Sequence, residues 1–299
     1  MTRGWTVIIV VTAITLALIG SYAILHHGEK ETGASETGIL IVSTFPSLAS
    51  DIEQITCPEE KVVSLVPPGV DPHDYQLKPS DVEILKKASL IVSTGHTPFE
   101  AEIRKLVSNG EIKARLIEIP DIPGIKILDN PATGKPNYHM PVMDPFNYKL
   151  FIHRIAEELN NINPACRGER AEHLNMIDDR INNLTLLADR YNITAAASSP
   201  VVQYLVEWLG IHVRYLYIAE HGVPATGSQL DEIKHALETG RIKCIIYTDA
   251  TPSQIKTLIT GESREYGIPL VQAPAPTSNG TVLDKLSLTV ENIRTCIEK

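Results

Sequence analysis

The chain has 299 residues, of which 43% are hydrophobic, so it can bury a core, and intrinsic disorder is excluded. Its 27 Lys and Arg residues against 36 Asp and Glu residues give a net charge of −9, and aromatic residues make up 5%. Nucleic-acid binding relies on positive charge to neutralise phosphates, so we expect no nucleic-acid partner. At about 150 residues per domain, this length predicts two domains.

The N-terminus carries an apolar run over residues 5–25, preceded by Arg3. About 20 apolar residues suffice to cross a bilayer, so residues 1–27 are either an uncleaved membrane anchor or a signal peptide cleaved near 21–23. We favour the anchor, because the run is long for a signal peptide. No Cys follows it closely, which argues against a lipid-modified Cys. In both cases the rest of the chain lies outside the cytoplasm, and residues 28–38, rich in Gly, Glu, Ser and Thr, form a linker.

Beyond the linker, short β-branched runs alternate with helical patterns, in two groups of four strands. Such alternation is typical of βαβ units, in which parallel strands form a sheet covered by helices. Continuous apolar runs of this length predict strands that are buried on both faces. The predicted strands are 38–43, 61–66, 89–93 and 115–119 in the first half, and 195–198, 213–218, 242–247 and 268–271 in the second half.

One long helical pattern separates the two halves. Over residues 167–192 apolar side chains recur at three- and four-residue steps, which is the stripe of an amphipathic helix. A helix of about 26 residues is about 39 Å long, enough to cross a domain. The predicted fold is therefore α/β, with two lobes of parallel-sheet βα units joined by one long connector helix, after an N-terminal transmembrane or signal helix. We place the N-terminal lobe at 39–166, the connector helix at 167–193 and the C-terminal lobe at 194–299.

Three histidines follow predicted strands of the first lobe. Ligands of parallel α/β sheets bind at the carboxyl ends of the strands, and two facing lobes would form a cleft there. His73, His96 and His139 all fall in these loops. Neutral imidazole is the commonest ligand of transition metals. The shared location therefore predicts a metal site in the cleft.

Residues 67–75 read Pro-Pro-Gly-Val-Asp-Pro-His-Asp-Tyr and are followed by Lys-Pro-Ser-Asp-Val at 78–82. This pattern resembles the signature of the metal-binding receptors of ABC importers, the zinc- and manganese-binding proteins of cluster A-I. The resemblance extends from about Ile39 to the C-terminus. It implies two α/β lobes joined by one long helix, with a metal ion held between them by ligands from both lobes. On this resemblance, His73 takes the first ligand position and His139 the second.

The second lobe departs from the family pattern at both of its ligand positions. Ser199 stands where the family has His or Glu, and residues 271–276 lack the carboxylate expected after the last strand. We expect the three histidines of the first lobe to bind the metal, with Asp249 as the fourth ligand. His221 is an alternative ligand from the second lobe. Three imidazoles and one carboxylate suit Zn²⁺, with Mn²⁺ or Fe²⁺ as alternatives.

These expectations describe an extracytoplasmic, membrane-anchored solute-binding protein that captures a divalent metal ion and passes it to the separate permease of an ABC importer. We expect it to be a monomer and not an enzyme. A metal-dependent hydrolase on the same scaffold is one alternative, with Glu220 as its base, but the sequence has no H-E-x-x-H or G-x-S-x-G motif. Another is a diverged receptor for a metal chelate or an organic ligand. Because metal ligands must be deprotonated, binding should weaken as the pH falls through the imidazole pKa, near 6.5 when unperturbed.

Four cysteines lie outside the cytoplasm in this interpretation, in a compartment where disulfides form. Cys57, Cys166, Cys244 and Cys296 allow three pairings. We favour Cys244 with Cys296, because both lie in the second half of the chain. The four have no C-x-x-C spacing, which excludes a zinc ribbon and a thioredoxin-type motif.

Overall fold

The computed structural model describes residues 38–297. The predicted anchor at 1–27 and residues 28–37 of the linker lie outside this range. Within it, none of the helices combines the length and the apolar character needed to span a membrane. The residues from Ile39 onward form one compact unit that contains two parallel sheets.

The first sheet is built from four parallel strands connected by three helices. Each of these helices begins with Pro, whose missing N–H is not needed in the first turn of a helix. The strands are rich in Val, Ile and Leu, which suit the pleated, buried surface of a sheet. The strands are β1 (Ile39–Ser43), β2 (Glu60–Ser64), β3 (Leu90–Ser93) and β4 (Arg115–Glu118), and the helices are α1 (Pro46–Glu53), α2 (Pro79–Lys87) and α3 (Pro98–Ser108).

The strands of this sheet lie in the order β2–β1–β3–β4, so their carboxyl ends share one edge. The chain then forms a small antiparallel strand pair and two long helices before it enters the second sheet. These elements are β5 (Leu128–Asp129), β6 (Pro136–Asn137), α4 (Pro145–Ile162) and α5 (Arg167–Leu187).

The second sheet also has four parallel strands, and a two-stranded antiparallel hairpin follows one of them. Single 3-10 turns connect several elements, at Ile119–Asp121, Pro141–Met143, Pro164–Cys166 and Glu207–Leu209. The sheet strands are β7 (Ile193–Ala197), β8 (Ile211–Leu216), β11 (Ile242–Thr248) and β12 (Leu270–Ala273), and the hairpin strands are β9 (Ile218–Glu220) and β10 (Val223–Pro224). The helices are α6 (Val202–Val206), α7 (Gly227–Glu238), α8 (Ser253–Tyr266) and α9 (Val282–Ile297).

The order in the second sheet is β12–β11–β7–β8, with all neighbours parallel. All eight predicted strands overlap a strand of one of the two sheets. The prediction of an α/β fold with parallel sheets is therefore confirmed.

The helix α5 is shorter than its pattern predicts, because it ends at Leu187 and not at 192. The backbone that follows forms hydrogen bonds to another part of the chain. Tyr191 N donates to Leu209 O and Ile193 N donates to Gly210 O. These bonds hold the segment in an extended conformation that leads directly into β7. The apolar stripe alone could not reveal this competing set of hydrogen bonds.

One apolar core is shared by the two sheets. It contains fully buried side chains from the first sheet, such as Ile41, from the second sheet, such as Ile246, and from α4, such as Phe151. A wide separation of the sheets would expose this core to water, at about 25 cal/mol for each Å² of apolar surface. The shared core therefore favours small relative movements of the sheets.

The disulfide joins Cys57 to Cys166, so our pairing of Cys244 with Cys296 is wrong. The Cα atoms of Cys57 and Cys166 are 6.3 Å apart, which is within the range that a disulfide spans. Cys244 is buried inside β11, and Cys296 lies in the last turn of α9. The pairing depends on which cysteines lie close together in the fold, and their positions along the chain do not show this. The disulfide is typical of a protein that resides outside the cytoplasm.

Removal of this disulfide should destabilise the protein. The bond links residues separated by 109 positions. Closing a loop of this length lowers the entropy of the unfolded chain, which raises its free energy by about 4–5 kcal/mol at 25 °C. We expect the double variant Cys57→Ser/Cys166→Ser to lower the free energy of unfolding by about 2–5 kcal/mol in urea titrations. Cys296→Ser, which removes a free and partly exposed thiol, is the matched control. Equal denaturation midpoints for the two variants would contradict this assignment.

Candidate metal centre

Three loops bring His73, His96 and His139 together. His73 lies between β2 and α2, His96 between β3 and α3, and His139 directly after β6. The ring centroids are 5.1 Å apart for His73 and His96, 5.8 Å for His73 and His139, and 5.2 Å for His96 and His139. One ring nitrogen from each histidine can be chosen so that all three nitrogens lie within 4.8 Å of one another. A single cation could therefore contact all three rings after small side-chain adjustments.

The orientation of His96 is set by Thr94 and Glu100. The Thr94 hydroxyl donates its one proton to Glu100 Oε2 at 2.6 Å, so it must accept a hydrogen bond from His96 Nδ1 at 3.0 Å. This assigns the ring proton to Nδ1 and leaves a lone pair on Nε2. The Nε2 atom is buried and has no hydrogen-bond partner among residues 38–297. A buried polar atom without a partner is costly unless it binds something else, and a metal ion fits this requirement.

The orientation of His139 is set by Asn137. Both amide protons of Asn137 are committed, because Nδ2 donates to Pro200 O and to Gln203 Oε1, each at 2.8 Å. Asn137 Oδ1 therefore faces His139 and accepts from its backbone N at 3.0 Å and from its Nδ1 at 2.9 Å. The proton of the ring again lies on Nδ1, and Nε2 carries the lone pair. Metal-binding histidines are commonly oriented by such bonds from the other ring nitrogen.

Burial keeps all three imidazoles neutral. It is the largest cause that lowers the pKa of His73 to about 4, with smaller contributions from His221 and His139. Burial, followed by His221, lowers the pKa of His139 to about 4. Burial, followed by His139, lowers the pKa of His96 to about 3. Neutral rings are the form that binds metals, so these nitrogens need not lose a proton before they bind an ion at neutral pH.

Glu220 lies beside this cluster, on the hairpin of the second sheet. Its Oε2 is 3.5 Å from His139 Nε2, and its Oε1 accepts a hydrogen bond of 2.9 Å from Asn130 Nδ2. Since His139 carries its proton on Nδ1, two lone pairs face each other across the 3.5 Å gap. Such an arrangement is favourable when a cation lies between the two atoms. From the sequence we considered Glu220 only as a catalytic base, and its possible role as a ligand was missed.

His221, the alternative ligand, covers one side of the cluster. Its ring stacks on His73 with a centroid distance of 4.1 Å and an interplanar angle of 8°. His221 Nδ1 is 3.7 Å from Asp71 Oδ2, and its Nε2 is 4.0 Å from Asp74 Oδ1. These contacts connect the turn of the β9–β10 hairpin to the loop that carries His73. His221 therefore helps to close the cleft at its rim.

Asp249, the fourth ligand expected from the sequence, is not grouped with the three histidines. Its Oδ1 accepts from Ala275 N at 2.8 Å and its Oδ2 accepts from Ser278 Oγ at 2.6 Å. Both carboxylate oxygens are thus engaged by the loop after β12. Ser199 does line the cleft, but its hydroxyl is a poorer metal ligand than the His or Glu of the family pattern.

A cavity of about 630 Å³ opens in front of the histidines. The three rings and His221 form one side of it, and loops of the second sheet form the other. This arrangement can hold a divalent cation by three neutral imidazoles, with room left beside it. The carboxylate of Glu220 is 3.5 Å from His139 Nε2 but is not within 4.8 Å of the ligand atoms of all three histidines, so it would have to move toward them to complete a four-ligand set.

Loss of the Thr94 hydroxyl should weaken metal binding. In Thr94→Val the proton of His96 is free to move to Nε2, which opposes coordination, and changes of this kind typically reduce affinity by about 10–100-fold. We expect this loss in calorimetric titrations with Zn²⁺. Thr97→Val is the control, because its buried hydroxyl has no hydrogen-bond partner in the described part of the chain. Unchanged affinity in Thr94→Val would show that the hydroxyl does not orient His96.

The lowered pKa values predict unusual resistance of metal binding to acid. For an imidazole with the ordinary pKa of 6.5, the fraction in the neutral form falls about 25-fold between pH 7 and pH 5. For one with a pKa near 4, this fraction hardly changes. We therefore expect the Zn²⁺ affinity to change by less than about threefold over this interval and to fall steeply below pH 4. The metal-free protein should lose stability as the pH falls from 6.5 to 4, because the unfolded chain takes up protons first. A hundredfold loss of affinity by pH 5 would contradict the burial of the cluster.

The fold is shared with known metal-binding proteins. The structure of FpvC from Pseudomonas aeruginosa in complex with Mn²⁺ matches with a TM-score of 0.72 and 20% identity, over 87% of this chain and 99% of that one. The Mn-bound periplasmic metal-binding protein from Candidatus Liberibacter asiaticus matches with a TM-score of 0.70 and 20% identity, over 85% and 98% of the two chains. At this level of identity the likeness establishes the fold alone.

Relatives are also found by sequence. The metal ABC transporter substrate-binding lipoprotein of Lactococcus lactis is 22% identical over 276 residues, which cover 88% of this chain and 86% of the relative. The high-affinity zinc uptake system protein ZnuA of Haemophilus ducreyi is 30% identical over 127 residues, 42% of this chain and 36% of the relative. Residues 41–296 match the family described as zinc-uptake complex component A periplasmic. The chain therefore belongs to this ZnuA family of zinc-uptake components.

Proposed function

We propose that this protein captures a divalent transition-metal ion in the cleft between its two sheets and delivers it to the separate permease of an ABC importer. One observation carries the proposal. His96 and His139 each donate Nδ1–H to a committed acceptor, which leaves their Nε2 lone pairs available, and ring nitrogens of His73, His96 and His139 lie within 4.8 Å of one another. Membership of the zinc-uptake family supports the same conclusion.

The ligand set that we propose is His73, His96, His139 and Glu220. In tetrahedral coordination with bonds of about 2.1 Å, neighbouring ligand atoms are about 3.4 Å apart. The separation of 3.5 Å between His139 Nε2 and Glu220 Oε2 matches this value. The bond from Asn130 to the other oxygen of Glu220 holds the carboxylate in this orientation. Glu220 thus replaces Asp249 in the set expected from sequence.

The ion that suits this set best is Zn²⁺. Three imidazoles and one carboxylate are typical of zinc, whereas Mn²⁺ prefers a larger share of oxygen ligands. Fe²⁺ also accepts imidazole and carboxylate ligands and remains the second choice. The Haemophilus relative is named for zinc uptake, and the solved Pseudomonas neighbour holds Mn²⁺.

The proposed location is the outer face of a membrane, with the chain as an anchored monomer. The apolar run at 5–25 supports the anchor, and the disulfide supports an oxidising compartment. The Lactococcus relative is a substrate-binding lipoprotein, so attachment to the membrane has a parallel in the family. We assign no enzymatic reaction to the site, because Glu220, the candidate base of a hydrolase, is used in our proposal as a ligand.

Titration of the full chain with Zn²⁺ in lipid nanodiscs tests this proposal. We expect His96→Ala to weaken binding by at least about 100-fold and Glu220→Gln by about tenfold, which is about 1.4 kcal/mol. Gln retains the oxygen that accepts from Asn130, so the substitution removes the charge and little else. Asp249→Asn is the matched control and should leave the affinity unchanged. If Asp249→Asn weakens binding as much as Glu220→Gln does, the fourth ligand is misassigned. If His96→Ala binds Zn²⁺ normally, the whole site is misassigned.

A further inference from the structure

The cleft is much larger than a metal ion requires. Its volume is about 630 Å³, whereas a water molecule in the liquid occupies about 30 Å³. An ion and the few waters needed to complete its coordination would fill only a small part of this space. Pockets that bind small organic molecules have volumes of about 300–1,000 Å³. The cavity therefore has the size of a site for an organic ligand.

One wall of the cavity is largely apolar. It comes from the second sheet and includes Ile218 and Val223 of the hairpin, Ile255 of α8, and Pro252 and Pro276. Water in contact with such side chains gains no hydrogen bonds from them. An apolar molecule that displaced this water would bury its own surface at the same time, which is favourable.

Two polar side chains of this wall, Thr248 and Thr251, are hydrogen-bonded within the protein. Thr251 Oγ1 donates to Ser198 Oγ at 2.9 Å and accepts from Thr248 N at 3.0 Å. The wall therefore offers a metal ion little direct coordination and leaves the apolar surface as its main feature.

The charges of the residues that line the cavity limit the chemical class of ligand that it can bind. None of the described residues that line the cavity is Lys or Arg. Two lysines lie nearby, but Lys256 Nζ donates to Asp249 O at 2.7 Å and Lys285 Nζ donates to Pro276 O at 2.9 Å. An anionic chelator such as a polycarboxylate would thus find no cationic partner in the lining apart from the metal ion itself. A neutral ligand does not meet this cost.

We propose that the cleft takes its metal as a complex with a small, neutral and apolar chelator. The ion binds the histidines, and the organic part packs against the wall formed by the second sheet. The three imidazoles occupy three positions of a six-coordinate ion such as Ni²⁺, so a bidentate chelator can supply two of the other three. This inference rests on the proposed metal site and adds the class of complex that the site accepts.

Nickel complexes provide the probes, because imidazole suits Ni²⁺ and the ion accepts six ligands. Full-length protein in nanodiscs is titrated with aqueous Ni²⁺, with its 1:1 complex with 2,2′-bipyridine, and with its 1:1 complex with citrate. We expect the bipyridine complex to bind at least about tenfold more tightly than aqueous Ni²⁺, and the citrate complex to bind no more tightly. After desalting, the absorbance of bipyridine should elute with the protein.

Substitutions in the apolar wall test binding of the chelator separately from binding of the metal ion. Ile255→Asn should weaken binding of the bipyridine complex by at least about fivefold and leave the affinity for aqueous Ni²⁺ unchanged. Val223→Asn, on a half-exposed hairpin residue, gives the same test at a position where folding is not at stake. Leu258→Asn is the matched control, since Leu258 lies on the same helix as Ile255 but does not line the cavity.

The outcomes distinguish this inference from the function on which it rests. If aqueous Ni²⁺ binds in a His96-dependent manner but bipyridine removes it or is not retained, the chelate inference is wrong and the metal-capture proposal stands. Tighter binding of the citrate complex would overturn the preference for a neutral chelator. If neither aqueous Ni²⁺ nor any complex binds in a His96-dependent manner, the metal-capture proposal itself fails.

Discussion

The metal centre depends on two imidazole N–H groups that are committed to fixed acceptors. His96 donates to Thr94 and His139 donates to Asn137, and each acceptor is itself held so that it cannot exchange roles. Because a neutral imidazole carries one proton, these bonds leave the Nε2 lone pairs of both rings free to bind a cation. The site is thereby prepared before any ion arrives, and an ion does not have to reorganise the rings in order to bind.

The buried carboxylate of Glu100 holds Thr94, the acceptor of His96, in place. It accepts hydrogen bonds from Thr44, from the backbone and hydroxyl of Thr94, and from the backbone of His96 and Thr97. Burial alone would raise its pKa, but the bonds from Thr44, Thr94 and Thr97 outweigh burial and lower the pKa. The carboxylate therefore stays ionised and fixes the direction of the Thr94 hydroxyl. Its negative charge also lies close to the position proposed for a cation, which it stabilises.

Much of this could be read from the sequence, because local pattern governs it. Alternating β-branched runs predicted every sheet strand, and the rule that loops at the carboxyl ends of parallel strands carry the site selected the three histidines. Each histidine also has a polar residue two positions earlier, in Asp-x-His, Thr-x-His and Asn-x-His, a readable signal that we did not use. The proposed fourth ligand and the disulfide could not be predicted from the sequence. Asp249 is held by residues about 26 to 29 positions away, and Cys57 pairs across 109 positions.

Residues that follow β7 of the second sheet help to orient the ring of His139. Asn137 is held by Pro200 and Gln203, which precede and begin the helix after β7, and its backbone carbonyl accepts from Tyr204 Oη at 2.5 Å. Any movement that separated β6 from the helix after β7 would stretch these bonds, free the amide of Asn137 and with it the ring of His139. Metal affinity is thus coupled to the closeness of the two sheets. A bound ion favours the state to which it binds more tightly, so it stabilises the arrangement in which these bonds are intact. With imidazoles that remain neutral far below pH 6.5, separation of the sheets is a more effective way to release the ion than protonation.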